Sequence, residues 1–190
     1  HGSDAFFLHD SFSSFHSSLE LINDFDDGAG TARIENIENI NAGGGDDIID
    51  LTSPDYSLSG QNITVEGGEG NDTLWGSDAN ETLHGGDGND EIFGGAGMNE
   101  LIGGSGADEF QFTRTSNNDT IADFDITEGD TLKFFNTVSA QFDRDSVTLN
   151  STGDELSISY GTGANDIMTI TLTNAGLQLG DLAGDVLIIM

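Results

Sequence analysis

Through the middle of the chain one apolar residue returns every nine positions: Val65, Leu74, Leu83, Ile92, Leu101 and Phe110. Helices repeat their apolar residues near a period of 3.6 and half-buried strands near 2, so this beat fits neither. The segments are GGEGNDTLW (67–75), GSDANETLH (76–84), GGDGNDEIF (85–93), GGAGMNELI (94–102) and GGSGADEFQ (103–111). Each reads as a glycine-rich turn followed by a very short strand. The pattern predicts a solenoid with two nonapeptides per coil, residues i and i+18 stacked in register, and the eighth-position side chains filling a thin interior. Upstream, AGGGDDIID (42–50) is a further copy, and Ile40, Ile49 and Leu58 keep the beat before a seven-residue step to Val65. The solenoid is therefore expected to begin near Ile34 or Ile40 with an irregular first coil.

Beyond Phe110 the period changes. SVTLN (146–150), LSISY (156–160) and IMTITLTN (167–174) alternate apolar and polar residues and are separated by the turn segments STGDE and GTGAND, which predicts antiparallel strands. VLIIM (186–190) reads as a short buried strand. A solenoid needs such a cap, because its last coil otherwise exposes apolar surface and open strand edges. The expected fold is all-β: a parallel β-roll over 34–116, an antiparallel β cap over 117–190, and residues 1–33 as an amino-terminal cap or the remnant of a preceding domain. The pattern Ile-x-Asp-Phe-Asp recurs at Ile22–Asp26 and Ile121–Asp125, which places a strand-to-turn segment at each end of the roll.

Charge sharpens this picture. The 190 residues hold 35 Asp and Glu against 4 Lys and Arg, a formal charge of -31, and no Lys or Arg lies between Arg33 and Arg114. Nucleic acid and anionic membranes both need a basic footprint, so neither is expected as a partner. Cysteine is absent, which excludes disulfides and thiolate metal sites. No apolar run approaches the ~18 residues of a spanning helix, and no basic-then-apolar leader is visible at the amino terminus. His9 and His16 lack any ligand spacing and read as surface or cap residues. G-x-S-x-G, H-E-x-x-H and a phosphate-binding P-loop are all missing, so a non-catalytic role is expected. Trp75, Phe93 and Tyr56 stand too far apart in sequence to suggest a carbohydrate or peptide site.

The acids are periodic rather than clustered in runs. Asp72, Asp90 and Asp108 occupy the sixth position of alternate repeats, 18 residues apart, and so line one edge of the roll. Glu81 and Asn99 occupy the sixth position opposite, with Asn117 one period on. Glycine at the first, second and fourth positions permits backbone that side chains disfavour, turning carbonyls outward beside each carboxylate. Two stacked turns then offer about six oxygen donors, a set suited to calcium and poorly suited to zinc or copper.

These residues strongly resemble the repeat-in-toxin (RTX) family, whose nonapeptide G-G-x-G-x-D-x-U-x builds a calcium-loaded parallel β-roll. Copies 67–75, 85–93 and 103–111 match the whole pattern. The resemblance implies several bound Ca2+ ions, held by Asp72, Asp90 and Asp108 together with Gly67, Glu69, Gly85, Gly86, Asp87, Gly88, Gly103, Gly104 and Gly106. Asp47 takes the ligand position of the upstream copy, and Glu81 and Asn99 form a weaker opposite edge. The segment 117–134 resembles the closing segment of RTX rolls, with Asp119, Asp123 and Asp130 as ligands of a closing ion. The family further implies type I secretion, with the chain unfolded in a calcium-poor cytosol and folded outside. The expected function is a calcium-folded, monomeric module at the carboxy-terminal end of a bacterial surface adhesin, any host or surface ligand being held by other regions of the parent protein. The alternative is the non-catalytic tail of a secreted enzyme. RIENIENINAGGGDDIIDL resembles the entry segment of giant adhesin termini and favours the first.

Overall fold

The computed structural model describes residues 5–7, 38–52, 57–116, 118–136, 142–150, 152–159, 167–173, 177–182 and 186–190. Strand β1 spans Ala5–Phe7, β2 Asn39–Gly44, β3 Ile48–Asp50, β4 Asn62–Glu69, β5 Thr73–Trp75, β6 Asn80–Asp87, β7 Glu91–Phe93, β8 Glu100–Ser105 and β9 Glu109–Phe112. From β2 on they alternate between two parallel sheets. The short strands stack in the order β1-β3-β5-β7-β9, and the longer ones in the order β8-β6-β4-β2. Val65 pairs with Leu83 and Leu83 with Leu101, while Leu74 pairs with Ile92 and Ile92 with Phe110. Each coil is thus 18 residues, as the nine-residue beat predicts. The six eighth-position side chains are at most 1% exposed and form the interior seam. Burying each stabilises the roll by about 1.5–3 kcal/mol.

The first coil is longer. Ile40 pairs with Val65 and Ile49 with Leu74, a step of 25. The seven extra residues lie between β3 and β4, and Asp78 ties their end down by accepting the Leu58 N–H at 2.6 Å and the Ser57 hydroxyl at 2.5 Å.

The roll does not stop at residue 116. Strands β10 (Thr120–Ile121) and β11 (Thr131–Phe134) add a further parallel coil, pairing Ile121 with Leu101 and Leu132 with Phe110. The cap then covers both open edges: β14 (Ile167–Leu172) runs parallel to β10, and β15 (Leu187–Ile189) parallel to β11. Strands β12 (Asp143–Leu149) and β13 (Glu155–Ser159) extend the long-strand sheet from β14 in the expected antiparallel sense. Fusing sheet and cap leaves no boundary at 116, because the coil edges need a partner strand wherever the repeat ends. The seam continues in aromatics, with Phe112 stacked on Phe134 at 5.2 Å and Phe134 tilted against Phe142 at 5.0 Å. Apart from β1, which pairs with β3, the expected amino-terminal cap (1–33), with His9, His16 and Ile22–Asp26, lies outside the described residues, as do Ile34 and Tyr56. No helix among the described residues is long and apolar enough to cross a membrane.

Candidate metal centres

The 18-residue register stacks the sixth-position carboxylates into a ladder. Asp72 Oδ1 accepts the Asp47 N–H at 2.8 Å, Asp90 Oδ1 that of Asp72 at 2.8 Å, Asp108 Oδ1 that of Asp90 at 2.9 Å, and Asp130 Oδ1 that of Asp108 at 3.0 Å. One oxygen of each aspartate therefore splints two coils. The second oxygens of the first three, Asp72 Oδ2, Asp90 Oδ2 and Asp108 Oδ2, are buried without a hydrogen-bond partner. Buried carboxylate oxygens are rarely left unsatisfied, so these three mark the place of a cation.

The first glycine of each repeat forms the wall of that place. A methyl group built on Gly67 would overlap Asp72 Oδ2 and lie 2.7 Å from the Gly85 carbonyl oxygen; one on Gly85 would overlap Asp90 Oδ2 and lie 2.6 Å from the Gly103 carbonyl. Each level thus sets one anionic oxygen beside a carbonyl oxygen of the next coil. At Gly103 the three nearest atoms all belong to Asp108. The carbonyls of Glu69 and Asp87 accept the N–H groups of Gly45 and Gly70, and their exposed side chains face away. No three His, Cys, Asp or Glu side chains converge on one point among the described residues. The donors set beside the Asp72 and Asp90 carboxylates are main-chain carbonyls, a hard-oxygen set that fits calcium.

The opposite edge repeats the ladder in degenerate form. Glu81 N–H donates to Asn99 Oδ1 at 2.9 Å and Asn99 N–H to Asp119 Oδ1 at 3.0 Å. Asp119, not Asn117, completes this column, because the coil step here is 20 rather than 18; Asn117 itself lies outside the described residues. Glu81 Oε2 and Asp119 Oδ2 are buried and lack a hydrogen-bond partner. Asn99 differs. Its oxygen is fixed by the Glu81 N–H, so its amide nitrogen faces the glycine wall, 2.7 Å from a methyl built on Gly94. That N–H2 group donates to Asp119 Oδ1 at 3.0 Å, and because it repels a cation this level is expected to load more weakly than its neighbours.

The three expected closing ligands do not meet. Asp119 ends one ladder and Asp130 the other. Both Asp130 oxygens accept backbone N–H groups, from Asp108 at 3.0 Å and Asp125 at 2.8 Å. Asp123 accepts Gly103 N–H at 3.0 Å and Gly104 N–H at 2.8 Å. Asp123 and Asp130 thus satisfy backbone donors at the last coil and cap it.

Burial pushes the Asp90, Asp108 and Asp130 carboxyls up to about 6 and Asp119 up to about 7, only partly offset by the N–H groups they accept. Asp72 and Glu81 move the same way for the same reason. A carboxyl that holds its proton more tightly when folded stabilises the metal-free fold at low pH, and that contribution is lost as pH rises through 6 to 7. The metal-free chain is therefore expected to become more compact on acidification from pH 7.5 to 5. Calcium must displace the same protons, so its affinity falls over this window. Calorimetric titration in buffers of differing ionisation enthalpy is expected to show proton release at pH 6; its absence there contradicts the assignment.

Asp90 separates the two roles. Asp90→Asn retains an oxygen for the Asp72 N–H but removes the inward charge, recreating the Asn99 situation. Calcium affinity at that level is expected to fall at least about tenfold, with the fold intact in saturating calcium. Asp90→Ala also strands the buried Asp72 N–H, a further cost of about 1–3 kcal/mol. Calcium titrations and thermal melts of the two variants distinguish them.

Two features escaped the sequence reading. The fifth-position asparagines form an outer ladder: Asn71 Oδ1 accepts Asn89 N–H at 3.0 Å and Asn89 Oδ1 accepts Ala107 N–H at 2.8 Å. The recurring Asn-Asp pair in GGEGNDTLW and GGDGNDEIF was its only signal. The glycine assignment also changes. Positive φ occurs at the second and fourth positions, as at Gly86 (120°) and Gly88 (145°), and not at the first, where glycine is needed for space alone.

The family model for the RTX calcium-binding nonapeptide repeat (4 copies) matches residues 64–92 and 75–110. A search of curated proteins returns no match. Two solution structures from the Azotobacter vinelandii mannuronan C5-epimerase are similar to this chain. The AlgE6R2 subunit covers 80% of this chain and 92% of its own at 25% identity and a TM-score of 0.43. The AlgE6R3 subunit covers 84% and 83% at 21% identity and a TM-score of 0.37. With carboxylate ladders, glycine walls and register all in place over the matched residues, segment 64–110 belongs to the RTX calcium-binding nonapeptide repeats, and Ca2+ is the ion it binds.

Proposed function

We propose that this chain is the calcium-folded carboxy-terminal module of a large bacterial surface adhesin exported by a type I secretion machinery. The observation that carries the reading is the pair of carboxylate ladders, in which one oxygen each of Asp72, Asp90, Asp108, Glu81 and Asp119 is buried without a hydrogen-bond partner. In a calcium-poor cytosol the acidic chain stays extended and passes through an exporter. Calcium near mM levels outside, the range of extracellular modules, then condenses it. The module is non-catalytic and monomeric, and it anchors the end of the parent protein while other regions hold the ligand.

Fusing residues 1–190 behind an otherwise cytosolic reporter, in a bacterium carrying a type I exporter, tests this. The reporter is expected in the medium, and deletion of residues 117–190 is expected to retain it in the cell. Equal retention with and without that segment removes the secretion reading and leaves calcium binding untouched.

A further inference from the structure

The 18-residue step does more than align ligands. On the outer face of the short-strand sheet it makes Trp75 the register partner of Phe93, with Asp50 before them and Gln111 and Lys133 after. A parallel column beside it carries Thr73, Glu91, Glu109 and Thr131. Both columns point away from the seam, since the residues between them are the buried Leu74, Ile92, Phe110 and Leu132.

At its carboxy-terminal end this face already holds a cation. Lys133 Nζ lies 2.8 Å from Glu109 Oε1 and 5.3 Å from the Phe135 ring centroid, seated between a carboxylate and an aromatic ring. One coil earlier the same two ingredients recur. Glu91 accepts the Trp75 indole N–H at 3.3 Å, and Phe93 follows it on the same strand, two residues on and facing the same way. No Lys or Arg among the described residues pairs with Glu91, and the chain supplies none between Arg33 and Arg114.

We propose that Glu91, Trp75 and Phe93 form a seat for a lysine or arginine side chain of a basic partner polypeptide lying along this face. A carboxylate supplies the charge, and the two aromatic side chains, register partners on neighbouring strands, add cation–π attraction. The formal charge of -31 draws a basic segment in and excludes anionic polymers. None of its three side chains belongs to a ladder, so it can fail while the calcium-folding function stands.

Trp75 is the only tryptophan in the chain and reports on the seat directly. The full chain in saturating calcium is titrated with penta-arginine and pentalysine peptides while Trp75 fluorescence is followed. A saturable change in 0.1 M NaCl that weakens in 0.5 M NaCl (about a twofold shorter Debye length) is expected. Glu91→Gln and Phe93→Leu are each expected to raise the peptide Kd at least about fivefold, and Glu66→Gln, on the other sheet, to leave it within about twofold. Circular dichroism in calcium confirms that each variant is folded. Three outcomes overturn the proposal: no fluorescence change, an equal loss in Glu66→Gln, which indicates general acidic attraction, or a change produced by cellopentaose in place of the peptides.

Discussion

Excess EGTA is expected to dissolve the parallel sheets from β2 through β11, with the β signal in circular dichroism lost and residues 38–134 cut readily by protease. Coils stack about 4.8 Å apart. Neighbouring ionised carboxylates at that spacing repel by about 0.9 kcal/mol in bulk water and about 3.5 kcal/mol at an effective dielectric of 20. Asp72, Asp90 and Asp108 repeat this on one edge, and each is at most 2% exposed, so solvent does little to relieve it. The seam offers one apolar side chain per nonapeptide in compensation. The ion pair between Lys133 and Glu109 lies on the outer face and cannot neutralise the ladders. Binding free energy is therefore folding free energy. Restoring calcium is expected to refold the chain with a midpoint on the order of 10⁻⁴–10⁻³ M. Magnesium at the same concentration is expected to fail, because it holds its water and demands a tighter octahedron than one carboxylate and carbonyls provide. Equal melting temperatures in EGTA and in calcium contradict this account.

How far the sequence revealed the roll depends on which physical constraint is asked about. The eighth-position residues were legible because a buried side chain must be apolar wherever it recurs, and Asp72, Asp90 and Asp108 because a carboxylate that bonds one coil to the next recurs at the coil spacing of 18. The closing coil was harder. Its steps of 20 and 22 come from turn lengths that no periodicity encodes, so strict counting pointed to Asn117 where the backbone delivers Asp119. The same limit hid how Asp123 and Asp130 cap the last coil by accepting backbone N–H groups. Trp75 and Phe93 look distant in sequence and are neighbours in space. The repeat that builds the ladders also joins them, and only placing both columns on one face makes the point visible.

The second large effect concerns glycine, and three positions separate its causes. Gly60 has a φ of 86° with open space around it, so Gly60→Ala tests conformation alone and is expected to cost about 1–2 kcal/mol. Gly86 has a φ of 120°, and a methyl group there overlaps the Gly68 carbonyl, backbone that the register holds on both sides. Strain and collision combine, so Gly86→Ala is expected to cost about 4 kcal/mol and to lower the melting temperature even in saturating calcium. Gly85 has ordinary φ, and its methyl group overlaps Asp90 Oδ2 and sits 2.6 Å from the Gly103 carbonyl. Gly85→Ala is therefore expected to remove one calcium from the stoichiometry measured by calorimetry while neighbouring levels still load. If Gly85→Ala and Gly60→Ala behave alike, the space beside Asp90 is not where the ion sits. A Gly86→Ala chain as stable as the parent shows instead that the coils lie further apart than the ladder hydrogen bonds require.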